Sequence, residues 1–190
     1  PIFIALAVAY TGGRLYQALS GSGNLTSIGA MNQTNMTDLF LVRPTCDAKD
    51  PFLAVLAEQP DLAIRFCTDS PDTALAQMRK LPCAVILISH RLPNNGALEL
   101  TRTLVASGHA SKVLVTDVPK DEEEILHYIE EGAAGYVCAE ESWADLVKKI
   151  HAVAEEEFIL HPDIAAKLMS RIAELKQLLI ELDGGSMVRP

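Results

Sequence analysis

The side chains in this 190-residue chain that could do chemistry are four cysteines, five histidines, and the hydroxyl and acidic residues that follow apolar runs. Cys46, Cys67, Cys83 and Cys138 are far apart, and no CxxC occurs, which excludes a zinc ribbon and argues against a disulfide scaffold. Reduced thiols in a cytoplasmic chain are the expectation. His90 and His127 could join a cysteine as soft-metal ligands, whereas His151 and His161 carry no ligand spacing. Ser89 follows an apolar run but lacks the flanking glycines of a nucleophile elbow. No GxGxxG or P-loop occurs either. The chain is therefore read as a non-enzyme with no cofactor. A phosphoryl site built on Mg²⁺ needs two or more clustered carboxylates and a cation. Asp69, Asp117 and Glu140 stand singly, and Arg43 puts a positive charge after the first apolar run.

The elements that must position these residues follow from composition and periodicity. Apolar residues are 49% and charged residues 22%, enough for one domain with a sizeable core. No apolar run reaches the roughly 18 residues of a membrane span, so no membrane partner is expected. A net charge of −9 and 5% aromatics exclude a basic, base-stacking surface for nucleic acid. Residues 1–35 hold one charged side chain, Arg14, and the other 40 lie in 36–190. This sets off 1–35, with its apolar Ile2–Tyr10 and Ser-Gly linker, as an extension of unknown origin that a partner or neighbour should cover. A domain over 36–157 and a C-terminal segment over 158–190 follow it.

From residue 38 onward, short apolar runs alternate with helical patterns. Strands are predicted at 38–42, 62–68, 84–88, 112–116 and 136–138, and helices at 50–59, from Pro71, 97–107, 121–131 and 142–156. Pro51 and Pro71 suit the first turn of a helix, where a missing N–H costs nothing. The uncharged run Ala84–Ile88 reads as a strand buried on both faces. Five strand–helix units predict an α/β fold with a doubly wound, five-stranded parallel sheet, and any site then lies at the carboxyl ends of its strands. Trp143, in the first turn of the last of these helices, is expected to anchor it.

Three segments resemble response-regulator receiver domains, in the order and spacing of that family. Ala84–Gly96 (AVILISHRLPNNG) is similar to the third strand and its loop, Lys112–Thr116 to the fourth strand ending in a hydroxyl residue, and Gly132–Cys138 (GAAGYVC) to the fifth strand. The NarL/FixJ branch is the nearest in pattern, because Phe158–Pro162 and the helix after it look like that branch's linker. The resemblance implies a (βα)5 flavodoxin-like receiver with an added linker helix, in a two-component transcriptional regulator. Its DNA contact would be made by a helix-turn-helix domain beyond Pro190.

The resemblance also implies a degenerate phosphorylation pocket. Ser89 stands at the phosphoacceptor aspartate, Arg43 and Pro44 at the acidic pair that holds Mg²⁺, and Ala139 at the phosphate-contacting lysine. Only Thr116, the switch hydroxyl, is kept. Nucleophile and electrostatic stabilisation are lost together, so a phosphorylation-independent pseudo-receiver is expected. Its input is open among three readings. Ile164, Leu168, Ile172, Leu175 and Leu179 recur at 4-4-3-4 spacing, either as a dimer seam or as a stripe packed on the receiver itself. The family strand order brings Cys46 and Cys138 to one edge as a redox or metal pair near Arg43 and His90, with structural cysteines as the alternative. Arg43, Ser89, His90 and Thr116 could also receive an anion, another small ligand or a partner protein.

Overall fold

The computed structural model describes residues 36–47, 49–81 and 83–184. The expectations placed on residues 1–35 lie outside the described residues. Five strands, β1 (Thr37–Val42), β2 (Leu62–Thr68), β3 (Val85–Ser89), β4 (Lys112–Val118) and β5 (Gly135–Cys138), form one parallel sheet in the order β2-β1-β3-β4-β5. The helices between them are α1 (Pro51–Ala57), α2 (Pro71–Met78), α3 (Gly96–Ala106) and α4 (Glu122–Glu130), and α5 (Trp143–Ala154) follows β5. A 23-residue helix, α6 (Pro162–Gly184), closes the described chain.

Side chains on a strand alternate between the two faces of the sheet, and here both faces are apolar. Phe40, Val42, Ile86, Ile88, Val113 and Val115 face α2, α3 and α4, while Leu39, Leu41, Val85, Leu87 and Leu114 face α1 and α5. All five residues of β3 are buried, as an uncharged central parallel strand requires. Local chemistry sets the helix starts. Asp50, Ser70 and Asp121 accept backbone N–H bonds from the first turns of α1, α2 and α4, and Ser142 forms a capping box with Asp145 at α5. Pro51 and Pro71 hold the expected first-turn positions.

Two expectations are revised by packing. Trp143 stays half exposed and meets Phe52 edge-on at 5.9 Å, so it caps the α1–α5 contact without being enclosed by it. The proposed five-residue stripe on α6 divides. Ile164 is buried and Leu168 packs on the core beside α4, whereas Ile172, Leu175 and Leu179 are exposed, as are Met169, Leu178, Ile180 and Leu182. Length explains the division: at 1.5 Å per residue, α6 runs about 35 Å and α4 about 14 Å. Lys167 pairs with Glu122, and Arg171 with Glu130 at 2.9 Å, and these bonds tie the first half of α6 to α4.

Candidate functional site

The carboxyl ends of β1, β3 and β4 meet in one small polar cluster. Ser89 is the last residue of β3 and lies in register with Thr116 on β4, and both are buried. Between Val115 and Val118 the register of β4 against β5 shifts, and Asp117 sits in that irregularity with φ +59°. Aspartate is one of the few residues that tolerate this left-handed conformation. The Ser89 hydroxyl donates to Asp117 Oδ2 at 2.8 Å, and the Thr116 hydroxyl lies 3.4 Å from the same oxygen. Arg91 Nε is 3.9 Å from Asp117 Oδ1, and the Arg91 backbone N–H donates to the Ser89 hydroxyl at 3.2 Å. The serine is thus committed as a donor to a carboxylate supplied by the neighbouring strand.

Arg43 leaves the end of β1, its backbone N–H bonded to Thr68 O at 2.9 Å. Its guanidinium lies 3.9 Å over the Phe52 ring, and Nη2 is 3.3 Å from Asp50 Oδ2. Nε and Nη1 are buried with no hydrogen-bond partner among the described residues. Burial lowers the Arg43 pKa from its ordinary value, Asp50 and Asp117 raise it, and Arg91 lowers it further. The cation expected from the sequence therefore stands in the field of both carboxylates. Pro44 and Ala139 are exposed, and Ala139 contributes only its backbone N–H, bonded to Val118 O at 2.9 Å.

His90 is hydrogen-bonded to β4 and α4. Its backbone N–H donates to Thr116 O at 2.8 Å, and Nδ1 is 2.9 Å from the Tyr128 hydroxyl on α4. Burial pushes the Tyr128 phenol up to about 12, so it stays neutral. His127 is exposed on α4. Among the described residues no group of three or more His, Cys, Asp or Glu side chains is arranged to hold a metal ion.

The expected Cys46–Cys138 pair is corrected. Cys46 is bonded to Cys67, with a Cα–Cα separation of 5.8 Å. Cys67 lies on β2 beside Leu41 of β1, and the loop after β1 folds back to it. A disulfide from the loop after β1 to the neighbouring strand β2 is therefore reached without crossing the sheet, whereas β5 lies at the far edge from β2. Cys83 and Cys138 are free thiols, and burial raises both above the ordinary thiol value. The expectation of reduced thiols is corrected at Cys46 and Cys67, where the disulfide also replaces the low-pKa thiolate expected beside Arg43. Asp117 is the residue that sequence reasoning passed over as a lone carboxylate. The signal available was its place immediately after Thr116, at the end of a predicted strand.

Comparison with known proteins adds kinship. No protein-family profile matches the chain. It is similar to the transcriptional regulatory protein LnrK of Bacillus subtilis, 29% identical over 105 residues, which covers 55% of this chain and 48% of the relative. It is also similar to the response regulator GacA of Pseudomonas viridiflava, 30% identical over 114 residues, covering 60% and 53%. The chain thus spans about half the length of the curated relatives it matches. Among solved structures, a LuxR-family two-component response regulator from Aurantimonas sp. SI85-9A1 superposes with a TM-score of 0.63 at 22% identity, over 73% of this chain and 99% of that one. The receiver domain of the putative regulator NarL from Mycobacterium tuberculosis gives 0.58 at 14% identity, covering 64% and 98%. These superpositions establish the receiver fold.

Proposed function

From the premise that its homologues are response regulators and its fold is the receiver fold, we propose that this chain is a phosphorylation-independent receiver. It is read as the signal-input and dimerisation domain of a cytoplasmic transcriptional regulator, with DNA bound through a separate domain. The observation that carries the reading is the Ser89 hydroxyl, buried at the end of β3 and donated to Asp117 at 2.8 Å. A serine held this way, with Arg43 and Pro44 after β1 where the family's metal carboxylates belong, offers no acyl-phosphate chemistry and no cation site. Dimerisation is assigned to the distal half of α6, where Ile172, Leu175, Leu179 and Leu182 follow a 3-4-3 spacing and are all exposed. Ile164 and Leu168 are occupied by the receiver body and do not belong to that seam.

Sedimentation equilibrium with and without acetyl phosphate and Mg²⁺ tests this reading. The reading expects a reversible dimer whose dissociation constant ignores the phosphodonor and which the Leu175→Asp change converts to monomer. A phosphodonor-dependent dimer, or a dimer untouched by Leu175→Asp, refutes it. A thiol-state input is a second reading, favoured by the exposed position of Cys46 in its bond to Cys67. It expects the dimer constant to change with reductant in the wild type and not in Cys46→Ser.

A further inference from the structure

The pocket and the docking helix are joined by covalent and hydrogen-bonded paths short enough to be followed atom by atom. Asp117 occupies the left-handed position in β4, and four residues later Asp121 caps α4 by accepting the backbone N–H groups of Glu123 and Glu124 at 3.0 Å. Any shift of the bulge therefore reaches the first turn of α4 through Val118–Lys120. A second path leaves the same cluster at His90, whose ring meets the Tyr128 hydroxyl in the body of α4. The outer face of α4 carries the acidic residues that hold Lys167 and Arg171 of α6. At the pocket end, Asp117 lies 3.9 Å from Arg91, and its charge raises the pKa of Arg43, which is itself paired with Asp50.

We infer that Asp117 is a resident anion: a carboxylate built into β4 that fills the polar cluster at Ser89, balances Arg43 and Arg91, and thereby fixes the position of α4 on which α6 docks. The inference rests on the phosphorylation-independent reading above and adds how that site is regulated, namely by a charge carried in the sequence. Removing the charge takes away the carboxylate beside Arg91 and leaves Arg43 with Asp50 alone, while the Ser89 hydroxyl loses its charged acceptor. The imbalance is relieved where the chain is least enclosed, in the segment leading to α4. Both Asn and Gly accept the left-handed backbone, so Asp117→Asn removes the charge while keeping an acceptor for Ser89, and Asp117→Gly removes both without backbone strain.

Hydrogen exchange of the full chain, at one fixed protein concentration, tests the link. Losing a charge-assisted interaction predicts exchange roughly tenfold faster for amides 165–175 of α6 in Asp117→Asn, and faster still in Asp117→Gly. Amides of β1 and β3 outside the cluster keep the wild-type rate. Faster exchange at 89–91 and 116–118 with α6 unchanged overturns the inference. If neither variant folds, Tyr128→Phe, which deletes only the hydroxyl facing His90, is read by the same criterion, and unchanged α6 exchange overturns the inference again. Intact mass after acetyl phosphate and Mg²⁺ is a separate channel: a phosphoryl adduct on the wild type overturns the underlying reading whatever the exchange data show.

Discussion

Removing the Cys46–Cys67 bond should cost the domain about 3 kcal/mol. The two residues are 21 apart in sequence, and closing a loop of that length in the unfolded chain carries this entropic value in the loop-closure account. Cys46→Ser is the cleaner perturbation, because Cys46 is exposed while Cys67 is half buried against the α1–α5 side of the core. For a domain of this size the loss corresponds to a melting temperature lower by roughly 10 °C. Urea unfolding of the oxidised wild type, the reduced wild type and Cys46→Ser makes the measurement. The last two should coincide, and both should fall below the first by the stated amount, with a steeper denaturant dependence because the opened unfolded chain exposes more surface. Cys138→Ser should keep the full response to reductant. A Cys46→Ser variant as stable as the oxidised wild type refutes the bond, and a reductant response lost in Cys138→Ser restores the pairing across the sheet.

Three further outcomes follow from local geometry. Gly132 has φ +89°, and an added Cβ would lie 2.7 Å from Val105 Cγ1, so Gly132→Ala combines backbone strain with a clash and should cost more than about 1 kcal/mol by urea unfolding. Ile150→Ala, which empties a fully buried position between α5 and the sheet, should cost roughly 2–5 kcal/mol in the same assay. The Ser142 hydroxyl and backbone N–H hold the Asp145 carboxyl below its ordinary 3.8, so its contribution to stability is present above the unfolded value and lost as pH falls through the folded one. Carbon-detected titration of Ser142→Ala should show the Asp145 carboxyl moving up, and an unmoved midpoint would contradict the capping box.

How much of this was legible in the chain depends on whether a feature is local. The uncharged run that became β3, the prolines opening α1 and α2, and the GAAGY turn into β5 are each decided by residues close in sequence, and the structure keeps them within a residue or two. Ser89 and Thr116 lie in register, and Arg43 follows β1 at the same end of the sheet, because every parallel strand delivers its carboxyl end to the same side. The disulfide was hidden because four scattered cysteines read as reduced thiols, and only the three-dimensional neighbourhood of the β1 loop and β2 brings Cys46 to Cys67. Asp117 was hidden because nothing in VTDVP announces a left-handed residue inside a strand. The division of the α6 stripe depended on the length of α4, since the apolar spacing is the same on docked and exposed turns.

The central claim is that the pocket at Ser89 is closed to phosphoryl chemistry by its own residues. Intact-protein mass spectrometry after incubation with acetyl phosphate and Mg²⁺, run under conditions that preserve acyl phosphates, tests this most directly. The account predicts an unchanged mass in the wild type. A single phosphoryl adduct that disappears in either Ser89→Ala or Asp117→Asn would contradict it and make that residue a working acceptor.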